Sequence, residues 1–299
     1  MKFYFLVLLL LLFLAPTTFA AESQFGFVYT TDLLPKGEKE VEQWTTWRSQ
    51  KIAGTFNLLE GRTAIEYGVT DQFQIAFYAS YDWTDAYENG PFGATTPPEQ
   101  FSYDVPGPSD FYAATRFIGV SVEGIYRLLS PYTDFVGLAF YLEPTLGNEF
   151  FEVESKIILQ KNFFDDTLIL GVNFTYAPEY RLITPDSTGV GPVWQEETDL
   201  NTSLGASYRF APSWFAGFEF ENEREFNDYG FSRATNSGYF IGPSVHYGAK
   251  SFFLTAVFLT QMPWSTVYAE TTPGAVVGGY NYDVDFEKYM LRIKLGIYL

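Results

Sequence analysis

The sequence predicts an all-β protein: a transmembrane, antiparallel, up-and-down β-barrel of about 12 strands with short periplasmic turns and longer external loops. Three observations predict it. Apolar and polar residues alternate with period two in segment after segment, as in Leu291 to Leu299, where aliphatics hold the odd positions and Arg292, Lys294, Gly296 and Tyr298 the even ones. Tight turns and longer polar loops join these segments in strict alternation. Aromatics make up 20% of residues, with 31 Phe and 22 Tyr, yet mean hydropathy is only -0.04. That mixture suits girdles of amphipathic rings around a lipid-facing band.

Lys2, the apolar run Phe3 to Ala15 and the stretch Pro16 to Ala20 read as a secretory signal over residues 1–20. The run is shorter than the about 20 residues of a membrane helix, and Thr18 and Ala20 supply the small residues expected before cleavage. Residues 21–37 form an N-terminal periplasmic segment. With Phe25, Phe27, Tyr29, Leu33 and Leu34 it is too apolar for a free tail, so it is expected to plug or brace the periplasmic mouth.

Residues 38–299 are the expected barrel. Phe73 to Trp83 alternates most clearly, with Phe73, Ile75, Phe77, Ala79, Tyr81 and Trp83 on one face. Ile118 to Leu128, Phe151 to Leu159 and Leu168 to Tyr176 follow the same rule, with Ile118, Val120 and Val122 on the apolar row of the first; Glu40 to Arg48 and Phe252 to Thr260 have mixed faces. The short connections are Thr70 to Gln72, Ser130 to Asp134, Phe164 to Asp166, Ala211 to Ser213 and Gly248 to Lys250. Between them fall Thr84 to Asp110, Pro144 to Glu149, Arg181 to Thr198, Asn227 to Ser237 and Ser265 to Tyr280, with a short first loop near Gln50 to Gly54. This phasing puts both termini on the periplasmic side. A secreted β-sandwich or propeller is the competing class, but sandwich strands average about 5 to 6 residues and several segments here run well past that. Trp83 and Trp264 at outer strand ends and Trp214 after an inner turn are interface aromatics on this reading; Trp44 and Trp47 fit no girdle.

A net charge of -18 argues against nucleic acid as a partner, since a polyanion calls for clustered Lys and Arg. With no cysteine the chain has no disulfide framework and no thiol chemistry. No phosphate-binding Gly loop, metal-ligating His cluster or cofactor motif is present, so neither cofactor nor metal is expected. The expected partners are outer-membrane lipids and lipopolysaccharide, the barrel-assembly machinery and small solutes. Leu299 at the last position departs from the terminal aromatic that this machinery commonly reads.

If the apolar rows face lipid, the alternate residues line the lumen. Glu219, Glu221, Glu223 and Glu225 then form an acidic row opposite Trp214, Ala216, Phe218 and Phe220, joined by Glu152 and Glu154. Folding the Ala211 to Ser213 turn as a hairpin puts Glu221 beside Ser203 and Glu225 beside Asp199, so countercharge must come from elsewhere. The inward basic residues are Arg127, Lys156, Arg209, Arg292 and Lys294, and in a twelve-strand ring Arg292 and Lys294 lie opposite Glu152 and Glu154. Two functional readings follow. A water-filled constriction between acidic and basic walls makes a porin-like channel for small polar or cationic solutes. A salt-bridged network filling the lumen makes a closed scaffold.

A third reading, an outer-membrane lipid hydrolase, rests on His246 and Ser244 sharing a face. Residues two apart on a strand lie about 6.6 Å apart, and both point away from lipid, so no catalytic residue is assigned. Acid pairs such as Glu196 with Glu197 and Asp283 with Asp285 suit divalent cations bridging to lipopolysaccharide, or glycosidic acid/base chemistry, and nothing fixes their partners. The loop Thr84 to Asp110, with Pro91, Pro97, Pro98, Pro106 and Pro108, is a candidate lid or a stiff solvent loop.

Leu34-Pro35-Lys36-Gly37 through Val41-Glu42-Gln43-Trp44, Glu66-Tyr67-Gly68-Val69-Thr70-Asp71 and Lys156 to Asn162 resemble a functionally uncharacterised family of exported bacterial proteins. The resemblance covers nearly all of the chain after residue 20. It implies a single-domain barrel in the outer membrane of Gram-negative cells and carries no activity across.

Overall fold

A computed structural model of the chain describes residues 24–90, 93–98, 107, 109–183, 193–232, 234–265, 276–277 and 280–299. The expected signal over residues 1–20 lies outside the described residues, as do Pro91, Pro106 and Pro108 of the loop after Trp83, whereas Pro97 and Pro98 are described. Twelve antiparallel strands close into a barrel: β1 (Lys39–Ser49), β2 (Thr55–Thr70), β3 (Phe73–Tyr87), β4 (Tyr112–Leu129), β5 (Gly137–Gly147), β6 (Phe150–Phe163), β7 (Leu168–Ile183), β8 (Val193–Ala211), β9 (Trp214–Phe226), β10 (Ala234–Gly248), β11 (Phe252–Gln261) and β14 (Tyr289–Tyr298). Each strand pairs with its neighbour in sequence, and β1 pairs with β14 to close the ring. A two-stranded hairpin, β12 (Val276–Val277) with β13 (Tyr280–Asn281), sits in the connection before β14. Among the described residues no helix is present.

The outer face is apolar, with Ile65, Phe77, Val122, Phe140, Ile157, Phe174, Leu204, Phe218, Leu254 and Ile293 all exposed. A soluble barrel would bury such a belt, so this face is built for lipid. The alternate residues turn inward, where polar and charged side chains such as Gln74, Glu123, Gln160, Asn173, Glu219 and Lys294 are buried.

Three features depart from the expected pattern. Pro144 to Gly147 belong to β5, so that connection shrinks to Asn148 and Glu149. Pro144 stands opposite Val153 inside the ladder, and proline in a strand reads from sequence as a break. Strand pairing likewise reaches through Arg181 to Ile183 and back from Val193, so both ends of the expected loop from Arg181 to Thr198 are strand. Ile118, expected on the lipid row, lines the lumen instead: Ser80 pairs with Gly119 and Tyr81 with Phe117, leaving Ile118 as the extra residue of a bulge.

Candidate functional site

Residues 24–34 lie inside the barrel, entering from the tight-turn end, where Pro35 and Lys36 are exposed. Their backbone is held by side chains of four strands. Glu219 of β9 accepts the N–H groups of Gly26 and Phe27 at 2.7 Å each and of Val28 at 3.1 Å. On β7, Asn173 accepts Tyr29 N–H at 2.6 Å and donates to its carbonyl at 2.9 Å. Gln160 of β6 accepts Thr31 N–H at 2.7 Å, and Gln74 of β3 accepts Leu34 N–H at 2.8 Å. The Asp71 carboxylate in the β2–β3 turn closes the mouth by accepting Lys36 N–H at 3.0 Å.

Apolar residues of the same segment explain why it stays inside. Phe25 and Val28 pack on Ile169, Tyr29 lies against the cluster of Leu33, Ile125, Tyr141 and Ile158, and Phe27 lies against that of Phe240, Val257, Phe286 and Met290. Inward glycines make the room. A Cβ on Gly205 would stand 2.6 Å from the Phe25 ring, and one on Gly171 would stand 2.7 Å from Val28 Cγ1.

Beside this plug the lumen holds a cavity of about 290 Å³. Glu60, Asp82, Glu143, Glu152, Glu154 and Glu179 line it with Arg48, Arg62 and Arg292. Arg62 pairs with Glu143 across from β2 to β5, Arg48 meets Glu60 at 2.8 Å, Arg116 meets Asp82 at 3.4 Å, and Arg181 bridges Glu179 and Glu197. Glu143 also accepts the Tyr141 hydroxyl. The lumen is therefore stitched by ion pairs and keeps an acidic excess beside them.

The acidic residues singled out from sequence all lie on the inner side. Glu219 binds the plug, Glu221 accepts Ser203 Oγ at 2.6 Å with its other oxygen buried and without a hydrogen-bond partner among the described residues, and Glu225 accepts from Asn236. Glu223 lies within electrostatic reach of Arg48. Glu152 and Glu154 line the large cavity, where Glu154 pairs with Lys156 of its own strand.

The basic residues do not make one wall. Arg292 lines the cavity with Glu152 and Glu154, but its guanidinium also donates to Thr46 Oγ1 at 2.8 Å and Gly26 O at 3.2 Å and stacks 3.9 Å from the Phe27 ring centre. Lys294 lies nearer the tight-turn end, 3.3 Å from Glu42, away from Glu152 and Glu154. Arg127 and Arg209 sit at the turns and donate to main-chain carbonyls: Arg127 to Thr31 O at 3.1 Å and Asp71 O at 2.6 Å, Arg209 to Asp165 O at 3.0 Å. In place of two facing walls, ion pairs run within one strand (Glu154 with Lys156), between neighbours (Arg48 with Glu60, Arg181 with Glu197) and across the lumen (Arg62 with Glu143).

Trp83, Trp214 and Trp264 are all exposed. Trp44, which fits no girdle, is a luminal residue: Lys294, Arg292 and Arg62 lie 4.5, 5.1 and 5.2 Å from its ring centre. Its even position on β1, shared with Glu40 and Glu42, was the available signal. Alternation along a strand does not reveal Arg62 with Glu143, because β2 and β5 are not neighbours in the ring, nor Arg181, which lies where the sequence reads as loop. His246 is buried on the inner face with Nδ1 2.8 Å from Thr255 Oγ1, between the rings of Phe215 and Phe253. It meets no lipid.

Closed ladder, apolar belt and polar interior define a β-barrel of the outer-membrane type. Residues 17–299 match a family of unknown function, DUF6662, and the chain belongs to that family. Its fold is similar to that of an outer-membrane channel from Pseudomonas putida F1, with a TM-score of 0.59 at 8% identity over 93% of this chain and 100% of the other. The NanC porin aligns with a TM-score of 0.51 at 9% identity over 87% and 100%. The beta domain of the Bordetella autotransporter BrkA aligns with a TM-score of 0.51 at 10% identity over 88% and 100%. At these identities the likeness is one of fold. No curated protein matches the sequence.

Proposed function

We propose that the protein is an outer-membrane channel whose lumen is closed at rest by residues 24–34 and whose acidic vestibule admits small polar or cationic solutes. The observation that carries this reading is how the plug is attached. The barrel's hydrogen-bond ring is complete without it, and Glu219, Asn173, Gln160 and Gln74 bind it through side chains. Releasing the segment therefore breaks no strand pairing, and the freed groups are rehydrated as water follows. The six carboxylates of the cavity against three arginines set the sign of the preferred solute. A closed scaffold is the second reading, favoured by the Arg62–Glu143 and Arg181–Glu197 ion pairs that cross between strands inside the lumen.

Conductance in planar bilayers separates the two. The chain has no cysteine, so a Val28→Cys/Gly171→Cys pair is unique, and the close approach of these positions suits a disulfide. Oxidised, the variant is expected to show no ionic steps; reduced, it is expected to show rare cation-preferring steps like those of the unmodified chain. Well-folded protein that never conducts, reduced or with Glu219 replaced by Ala, establishes the scaffold. Anion preference removes the role given to the carboxylates.

A further inference from the structure

A second cavity, of about 50 Å³, lies nearer the tight-turn mouth against the plug. Asp32, Glu40, Glu42, Glu66 and Glu123 face it, with Lys294 as its basic residue. Strand register builds the acidic side. Glu40 and Glu42 are two apart on the inner face of β1, and Glu66 of β2 is the direct partner of Glu40. All three are buried, and one carboxylate oxygen from each lies within 4.8 Å of the other two. Oxygens arranged about a centre at roughly 2.4 Å, the calcium distance, are separated by no more than this.

A cluster of acids is common without a ligand, and the state of Glu40 is what distinguishes this one. Glu40 is 3% exposed and faces the cavity, yet among the described residues its carboxylate accepts no hydrogen bond and enters no ion pair, with Lys294 acting on it only from longer range. Glu42 has Lys294 at 3.3 Å, and Glu66 accepts from Gln74 Nε2 at 2.6 Å. An unpaired buried carboxylate is costly unless a proton or a cation joins it. The cavity has room for an ion with a water ligand.

We propose that Glu40, Glu42 and Glu66 bind a hard divalent cation of the calcium type at the tight-turn mouth. The site stands without the channel reading and adds to it a link to the plug. Gln74 donates to Glu66 and accepts Leu34 N–H, so one side chain joins the cation's ligand to the plug backbone.

The test uses full-length protein, refolded free of lipopolysaccharide and stripped with chelator. Calcium binding is measured by calorimetry, and terbium luminescence sensitised by Trp44 and Tyr78 is read with calcium as competitor. The expected result is one site per chain in the unmodified protein and a rise of its thermal midpoint with calcium. Glu40→Gln and Glu66→Gln are each expected to weaken binding about tenfold or more and to abolish the thermal response, since ligand charge sets calcium affinity over several decades. No binding at about 1 mM calcium, the weakest range of calcium modules, overturns the proposal. So does binding unchanged in both variants, which places the ion on loop acids. A thermal midpoint that responds to pH and not to calcium also overturns it, because the occupant is then a proton. Terbium binding in the unmodified chain reads the outcome even if a variant does not fold.

Discussion

The Glu219 carboxylate accepts the backbone N–H of Phe27 at 2.7 Å across 192 residues of sequence, and the neighbouring amides of Gly26 and Val28 converge on the same group. The first carboxylate of the β9 acidic row is thus satisfied by main-chain donors of the plug. Replacing it with Ala leaves three buried N–H groups without an acceptor, each costing about 1 to 3 kcal/mol if the segment stays in place. The segment can instead leave and be solvated. Glu219→Ala is expected to keep the barrel folded, speed hydrogen exchange at residues 26–28 and speed proteolysis of the N-terminal segment. Protection equal to that of the unmodified chain would show that the apolar contacts of Phe25 and Val28 hold the segment alone.

Arg62 and Glu143 test the strength of the luminal stitching. The Arg62 guanidinium lies 4.1 Å from the Tyr78 ring centre while pairing with Glu143, which is 96% buried at its side chain. Removing one partner of a buried pair typically costs about 3 to 5 kcal/mol, whereas replacing both with apolar residues is often neutral. Arg62→Met is expected to lower the urea midpoint in detergent strongly, and Arg62→Met/Glu143→Leu to recover most of the loss. A double variant as unstable as the single one would mean that Tyr141, which donates to Glu143, and Ser121, whose Oγ accepts from Arg62 at 3.4 Å, carry the cost once left behind.

The unequal legibility of these two sites has a physical cause. Period two along one strand and the turn Ala211 to Ser213 suffice to place Glu221 opposite Ser203 and Glu225 opposite Asp199, and the register agrees. The lipid row of Leu291 to Leu299 and the alternation of turns and loops are equally local. Arg62 meeting Glu143 depends on tilt and stagger around a closed barrel, which no single strand encodes. Ile118 turns inward because of a bulge, one extra residue that periodicity reads through. Glu219 was legible as inward-facing, but its partners are backbone amides of a segment without strand pattern, so only their apolar side chains hinted at a buried place.

Asp32 makes the plug sensitive to pH. It accepts Tyr132 Oη at 2.8 Å and Gln160 Nε2 at 2.9 Å. Burial nonetheless raises its carboxyl above the ordinary 3.8, with the two hydrogen bonds and Arg127 opposing the rise. A carboxyl raised in the folded state contributes stability that is fully present below the unfolded value and is lost as pH rises through the folded one. Retention of the segment is therefore expected to strengthen as pH falls from neutral toward 4. Asp32→Asn, neutral throughout, is expected to flatten that dependence. Proteolysis rates of both proteins between about pH 4 and 7, in chelator, read the difference; equal slopes would assign the pH response to other carboxylates.

Phe77 and Tyr87 test the lipid face and its limits. Both lie on β3 and both are exposed, at 54% and 39%. Phe77 lies between the turn end of the strand and Trp83, within the apolar band, whereas Tyr87 is the last residue of β3 at the loop end. An arginine on the lipid face of a barrel costs about 2 to 4 kcal/mol at the midplane and about 0 to 1 near an interface. Phe77→Arg is accordingly expected to destabilise the protein in lipid vesicles by several times as much as Tyr87→Arg, measured by reversible urea unfolding. The gap should narrow in short-chain detergent micelles, where the charged side chain reaches water from either position. Equal costs in vesicles would mean that this face does not meet hydrocarbon, and with it the apolar belt would need a protein partner in place of a bilayer.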